Sequence, residues 1–162
     1  EKAPFLITPP LFRLDGKQDN ILRIIRTGGN LPADRESLFW LNIKSIPSSK
    51  RNEISNTLQI AIKTRIKLIY RPAGITGKPE DVAAQLSWHM QGNQLIVNNP
   101  TPFYMNFQEI KLDGKKVDKV TYAAPDGETR FATPGNNTAR SVSWKIINDY
   151  GGISPSYTAK IN

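Results

Sequence analysis

Leu58-Gln-Ile-Ala-Ile-Lys-Thr-Arg-Ile-Lys-Leu-Ile-Tyr-Arg71 carries apolar side chains at Leu58, Ile60, Ile62, Ile66, Leu68 and Tyr70, with Lys63, Arg65 and Lys67 at odd positions between them. Period-two alternation of this kind belongs to a β-strand with one apolar and one polar face. At roughly 3.3 Å per residue the stretch would extend over about 45 Å, well beyond the usual strand of five or six residues. One end must therefore outrun its sheet. Two readings follow: a core strand with a solvated Lys/Arg face, or an edge strand over 57–70 that is kept open because it pairs with a partner.

Working outward, 12 prolines and 11 glycines are scattered along the 162 residues and separate short runs rich in Ile, Val, Thr, Tyr and Phe. That composition predicts an all-β chain. Strands are expected near 5–13, 20–27, 37–46, 57–70, 84–90, 94–99, 103–112, 116–123, 128–132, 140–147 and 153–161. Asp15-Gly16, Gly92-Asn93, Asp113-Gly114 and Asp126-Gly127 supply turn chemistry between them. The one helical stretch expected is Pro79 to Leu86, a turn or two, where proline precedes Glu80 and Asp81 at a helix N-terminus. Prolines and glycines interrupt pairing around 73–79, which reads as a linker between 1–72 and 80–162. The second part holds enough strands for a complete small sandwich; the first holds four and reads as unfinished.

Charge and composition narrow the function. Lys and Arg number 22 against 14 Asp and Glu, a net charge of +8. Without cysteine there is no disulfide framework and no thiolate chemistry. With His89 alone, two imidazole metal ligands cannot be assembled, and neither a metal site nor an enzyme is expected. Asp34 and Glu36 alternate onto one face and carry only a weak acid–base signal, and His89 beside Trp88 and Met90 reads as an ordinary strand residue.

Three further motifs share an order. Leu31-Pro-Ala-Asp-Arg-Glu-Ser-Leu-Phe-Trp-Leu-Asn-Ile-Lys-Ser-Ile-Pro47 resembles the signature of the periplasmic pilus (fimbrial) chaperones of the chaperone–usher pathway. Ile66 to Pro72 resembles that family's last strand of domain one, and Ile147-Asn-Asp-Tyr-Gly-Gly152 its second-domain signature. Asn99-Pro-Thr-Pro-Phe-Tyr104 is similar to a turn of the same domain.

The resemblance implies two immunoglobulin-like β-sandwich domains in an angled arrangement. It also implies that family members hold further strands of domain one ahead of the counterpart of Glu1, so that the first domain is incomplete in this chain. Such chaperones bind pilus subunits and adhesin by laying an edge strand into the subunit's open groove, and deliver them to an outer-membrane usher. Leu58, Ile60 and Ile62 would then be the donor residues. Lys67 matches the lysine that captures the pilin's terminal carboxylate; the second anchor, an arginine on the first strand, has no counterpart here. Glu36, Arg71 and Asp149 match an interdomain ion network. The short polar connection from Pro47 to Thr57 resembles the short-loop branch of the family, and the family role involves no cofactor and no membrane insertion.

An alternative stays open on composition alone: a basic β-sheet nucleic-acid-binding module, with Lys63, Arg65, Lys67 and Tyr70 tracking phosphates. An uncovered apolar edge from Leu58 to Ile62 also predicts a self-capping dimer of free chains.

Overall fold

The computed structural model describes residues 3–47, 58, 60–133 and 138–161. The short polar connection 48–57 and, within the expected strand, residues 57 and 59 lie outside that range. The chain divides into two compact units, Glu1–Leu31 and Pro32–Asn162.

In the first unit β1 (Phe5–Thr8) pairs antiparallel with β2 (Arg23–Arg26). Both are shorter than the expected 5–13 and 20–27. Their 14-residue connection contains Asp15-Gly16, yet the positive φ falls on Lys17, at 62°. Every residue of β2 is exposed.

In the second unit β3 (Ser37–Ser45) and β4 (Ile62–Tyr70) form a nine-pair antiparallel ladder, from Ser37 opposite Tyr70 to Ser45 opposite Ile62. The expected start at 57 is thus corrected to Ile62. β3 stops at Ser45, and Leu58 and Ile60 have no ladder partner among the described residues.

The helical expectation resolves into α1 (Pro79–Val82) and a 3₁₀ turn at Ala83–Gln85. Proline pre-sets the first turn, and the Asp81 carboxylate accepts from the Lys78 amide at 3.0 Å. That turn displaces the next strand from the expected 84 to β5 (Ser87–Gln91). β5 turns into β6 (Gln94–Asn99) through Gly92-Asn93, with Gly92 at φ 56°. β7 (Met105–Leu112) turns into β8 (Lys115–Lys116) through Asp113 and Gly114, at φ 44° and 80°. Two consecutive residues at positive φ match the right-handed twist of the flanking strands, which explains the Asp-Gly pair. The expected strand 116–123 is broken, and its far end is β9 (Tyr122–Ala123), which pairs with the start of β7. Asp126-Gly127 is not a hairpin turn, because β9 and the following β10 (Gly127–Ala132) belong to different sheets. β11 (Ser141–Ile146) and β12 (Tyr157–Lys160) complete the chain.

The order β10-β6-β5 makes one sheet and β12-β11-β7-β8 the other, with β9 also on β7. Alternate residues of both enter one core: Trp88, Leu95 and Val97 from the first, Met105, Phe107, Ile110, Val142, Trp144 and Ile146 from the second. Trp88 lies 5.1 Å from Trp144 and 5.7 Å from Phe107 between ring centroids. Two antiparallel sheets sharing one apolar interior make a β-sandwich. His89, opposite Ile96, is an ordinary member of β5.

Asn99 ends β6 with its whole side chain buried. Its amide nitrogen donates to the carbonyls of Phe103 at 2.8 Å and Ala124 at 3.0 Å, and its oxygen accepts from the amide of Thr101 at 3.0 Å. The turn from Asn99 to Tyr104 is thereby tied by one side chain. Asn99→Ala leaves these groups unpaired in the core, and at 1–3 kcal/mol per orphaned group the variant should lose about 3 kcal/mol or more. Urea unfolding followed by tryptophan fluorescence measures this; a loss below about 1 kcal/mol would mean that the turn holds without Asn99.

Candidate functional site

Glu36 precedes β3 with its side chain only 1% exposed, so its carboxylate must be satisfied by protein groups. It is: Oε1 accepts from Arg71 Nε at 2.7 Å, and Oε2 from the backbone amide of Tyr104 at 2.6 Å. The Glu36 amide in turn donates to the carbonyl of Pro102 at 2.9 Å. The other nitrogens of the Arg71 guanidinium face Asp149, at 2.7 and 2.8 Å, in a bidentate fork. The guanidinium also lies 4.9 Å from the centroid of the Phe103 ring. The structure thus brings Glu36, Arg71 and Asp149 onto one cation. The fork with Asp149, joined by Glu36, pushes Arg71 further up from its usual range, and the same hydrogen bonds hold Asp149 below its own.

Asp149 is placed by its neighbours. Asn148 Oδ1 accepts from the amides of Tyr150 at 3.0 Å and Gly152 at 2.8 Å, and the Asn148 amide donates to the Gly152 carbonyl at 2.8 Å. Gly151 sits at φ 79°, and a Cβ on Gly152 would stand 3.0 Å from Nδ2 of the Asn148 side chain. The Asn-Asp-Tyr-Gly-Gly run is therefore a turn closed on the Asn148 side chain, with Gly151 favoured by its positive φ and Gly152 by the close approach of that side chain.

Lys67 lies on β4 opposite Trp40. Its ammonium donates to Asn106 Oδ1 at 2.7 Å and stands 4.7 Å from the Tyr122 ring centroid. Burial pushes its pKa down. A cavity of about 410 Å³ is lined among others by Glu36, Arg71, Tyr104, Asn106 and Asp149, so that Asn106 connects it to Lys67, which is not itself in the lining. Asp34 does not join Glu36 there; it pairs with Arg35 at 3.1 Å on the surface.

Farther along, Leu58, Ile60 and Ile62 are 86%, 65% and 60% exposed. The apolar face of β4 is uncovered up to Ile66 and becomes half-buried from Lys67 onward. Arg65 places its guanidinium 4.1 Å from the centroid of the Trp40 ring, so this aromatic is capped by a neighbouring cation. Asn106, Tyr122, Tyr104 and Asn148 are the site residues that sequence reasoning missed. The signature around Asp149 contained Asn148, but nothing local marks Tyr122, and Asn106 meets Lys67 only through the tertiary fold.

Known proteins resemble this chain over nearly its whole length. A family model for the pili and flagellar-assembly chaperones, PapD N-terminal domain, matches residues 1–76, and one for the pili assembly chaperone PapD C-terminal domain matches 81–158. The chaperone protein AggD of Escherichia coli is 40% identical over 173 aligned residues, covering 99% of this chain and 68% of AggD. Among solved structures, that of the Salmonella enterica SafA pilin in complex with the SafB chaperone contains a chain 42% identical, with a TM-score of 0.90, covering 98% of this chain and 76% of that one. The E. coli chaperone DraB is 43% identical with a TM-score of 0.88, covering 100% and 76%.

The ion cluster makes unequal predictions for its members. Arg71→Ala leaves the buried Glu36 carboxylate without its cation and should destabilise by about 3 kcal/mol. Asp149→Ala removes a partner whose side chain is 40% exposed, and should cost under about 1 kcal/mol. Equal losses in denaturant unfolding would contradict this ranking. Because the Asp149 pKa is depressed from its ordinary 3.8, its contribution is present above that value and is lost as pH falls through the lower folded-state pKa. The acid limb of the stability curve should therefore be shallower in Asp149→Asn.

Proposed function

The chain belongs to the pilus-assembly chaperone family, and from that premise we propose that it binds pilus subunits in the periplasm, completes their fold with an edge strand and delivers them to an outer-membrane usher. The observation that carries this reading is the β4 edge: a strand with one ladder neighbour among the described residues, continued by exposed Leu58 and Ile60. Main-chain groups along such an edge can pair with any incoming strand, and alternate side chains set its placement. The relative SafB is found with a pilin, which supports the same class of partner here.

Leu58, Ile60 and Ile62 are proposed to fill successive pockets of the subunit. Their burial would supply on the order of 5 kcal/mol, at about 1.5–3 per side chain, much of it offset by docking and ordering costs. Lys67 is proposed to take the subunit's terminal carboxylate. A fixed cation makes register matter: a strand shifted by two residues keeps its main-chain bonds and loses the charge pairing. Glu36, Arg71 and Asp149 are proposed to join domain one (1–72) to domain two (80–162) across the linker 73–79. The family-model bounds at 76 and 81 support a division there.

Co-expression with a pilus subunit in a bacterial periplasm tests the reading. The wild-type protein should be recovered in a stoichiometric complex. Ile60→Asp, which puts a charge into an apolar pocket, and Lys67→Ala should each lower recovery by about tenfold or more. Full recovery with Ile60→Asp would exclude strand addition through this face.

A further inference from the structure

Arg71 lines the cavity and Lys67 bonds to Asn106, which also lines it, and the two cations differ in one respect. Arg71 is compensated by two carboxylates, whereas Lys67 makes its one hydrogen bond among the described residues to a neutral amide oxygen. We propose that Asn106, backed by Tyr122, is a positioning residue that fixes the Lys67 ammonium while leaving its charge unpaired, so that the site selects a chain-terminal carboxylate. The inference rests on the reading of Lys67 as the carboxylate anchor and adds the group that makes it selective.

The geometry supports a fixed support rather than a chance contact. Asn106 sits in β7 opposite Tyr122 of β9, and its own carbonyl accepts from the Ile147 amide at 2.8 Å. Its backbone is thus held on two sides by the sandwich, and the direction of its side chain follows from that. Tyr104 packs edge-on against Tyr122, with ring centroids 5.6 Å apart, which steadies the ring beside the ammonium. An ammonium has three N–H donors, and one is bonded to Asn106. Neither an amide oxygen nor a ring face removes a full positive charge from a partly desolvated site; a carboxylate does. Asn106 also lines the cavity, so a ligand there reaches the same neighbourhood.

An aspartate at 106 would be nearly the same size and would supply the carboxylate internally. The ammonium would then be compensated before any ligand arrived. This separates an electrostatic role for Asn106 from simple packing, because packing does not distinguish a ligand's carboxylate from its amide.

The test uses the last strand of the SafA pilin as a synthetic peptide in two forms, one ending in a free carboxylate and one in a carboxamide. Affinities for the wild-type protein, Asn106→Asp and Asn106→Ala are measured by calorimetry, with near-UV circular dichroism to verify folding. The wild type should prefer the carboxylate by about tenfold or more, the size of a charged hydrogen bond. Asn106→Asp should reduce the preference to below about twofold, and Asn106→Ala, which only loosens the ammonium, should fall between. A wild type without preference would remove the anchor reading of Lys67, and this inference with it. A wild-type preference retained in full by Asn106→Asp would remove the inference alone. If Asn106→Asp does not fold, Asn106→Ala decides: an undiminished preference overturns the positioning role.

Discussion

A guanidinium offers five N–H donors in one rigid plane, and Arg71 commits three of them to carboxylates that lie 35 and 78 residues away in sequence. One of those carboxylates is buried and cannot tolerate the loss of its cation. The second oxygen of Glu36 holds the Tyr104 amide, so the start of β3, the end of β4 and the turn from Asn99 to Tyr104 converge on a single charge. From that turn the chain runs straight into β7, which carries Asn106 to Lys67. The placement of the lysine therefore depends on the arginine four residues beyond it.

The fold was legible where a residue type answers to a local rule. Alternation from Leu58 to Tyr70 marked a strand, Asp113-Gly114 marked a two-residue turn, and proline before Glu80 and Asp81 marked a helix start. Local rules failed where a partner decides. Pairing with β3 ends at Ser45, and for that reason the regular strand begins at Ile62 rather than 57. Asp126-Gly127 has the chemistry of a hairpin, but its flanking strands go to different sheets, a choice made by the core and not by the turn. Lys17 takes the positive φ expected of the Asp15-Gly16 pair, which shows how loosely an exposed loop follows turn preferences.

The site divides in the same way. Glu36, Arg71, Asp149 and Lys67 were marked only by the resemblance of their surrounding motifs to family signatures; the residue types and spacing alone did not single them out. Asn106 and Tyr122 were not marked at all, since an asparagine in a strand and a tyrosine after a loop are unremarkable until the topology sets them beside Lys67. Asn148 is intermediate: its signature was visible, while its role in closing the turn on Gly152 required coordinates.

An apolar strand edge is ordinarily a liability, and here it adjoins a half-buried lysine with no anionic partner among the described residues. Both features are explained together if an extended chain ending in a carboxylate is the ligand. Hydrogen–deuterium exchange of the protein, alone and mixed with a pilus subunit, tests that claim most directly. Strand addition predicts that the main-chain amides from Leu58 to Ile66 become strongly protected in the complex, with the β5–β12 sandwich little changed. A stable complex in which those amides exchange as fast as in the free protein would contradict it.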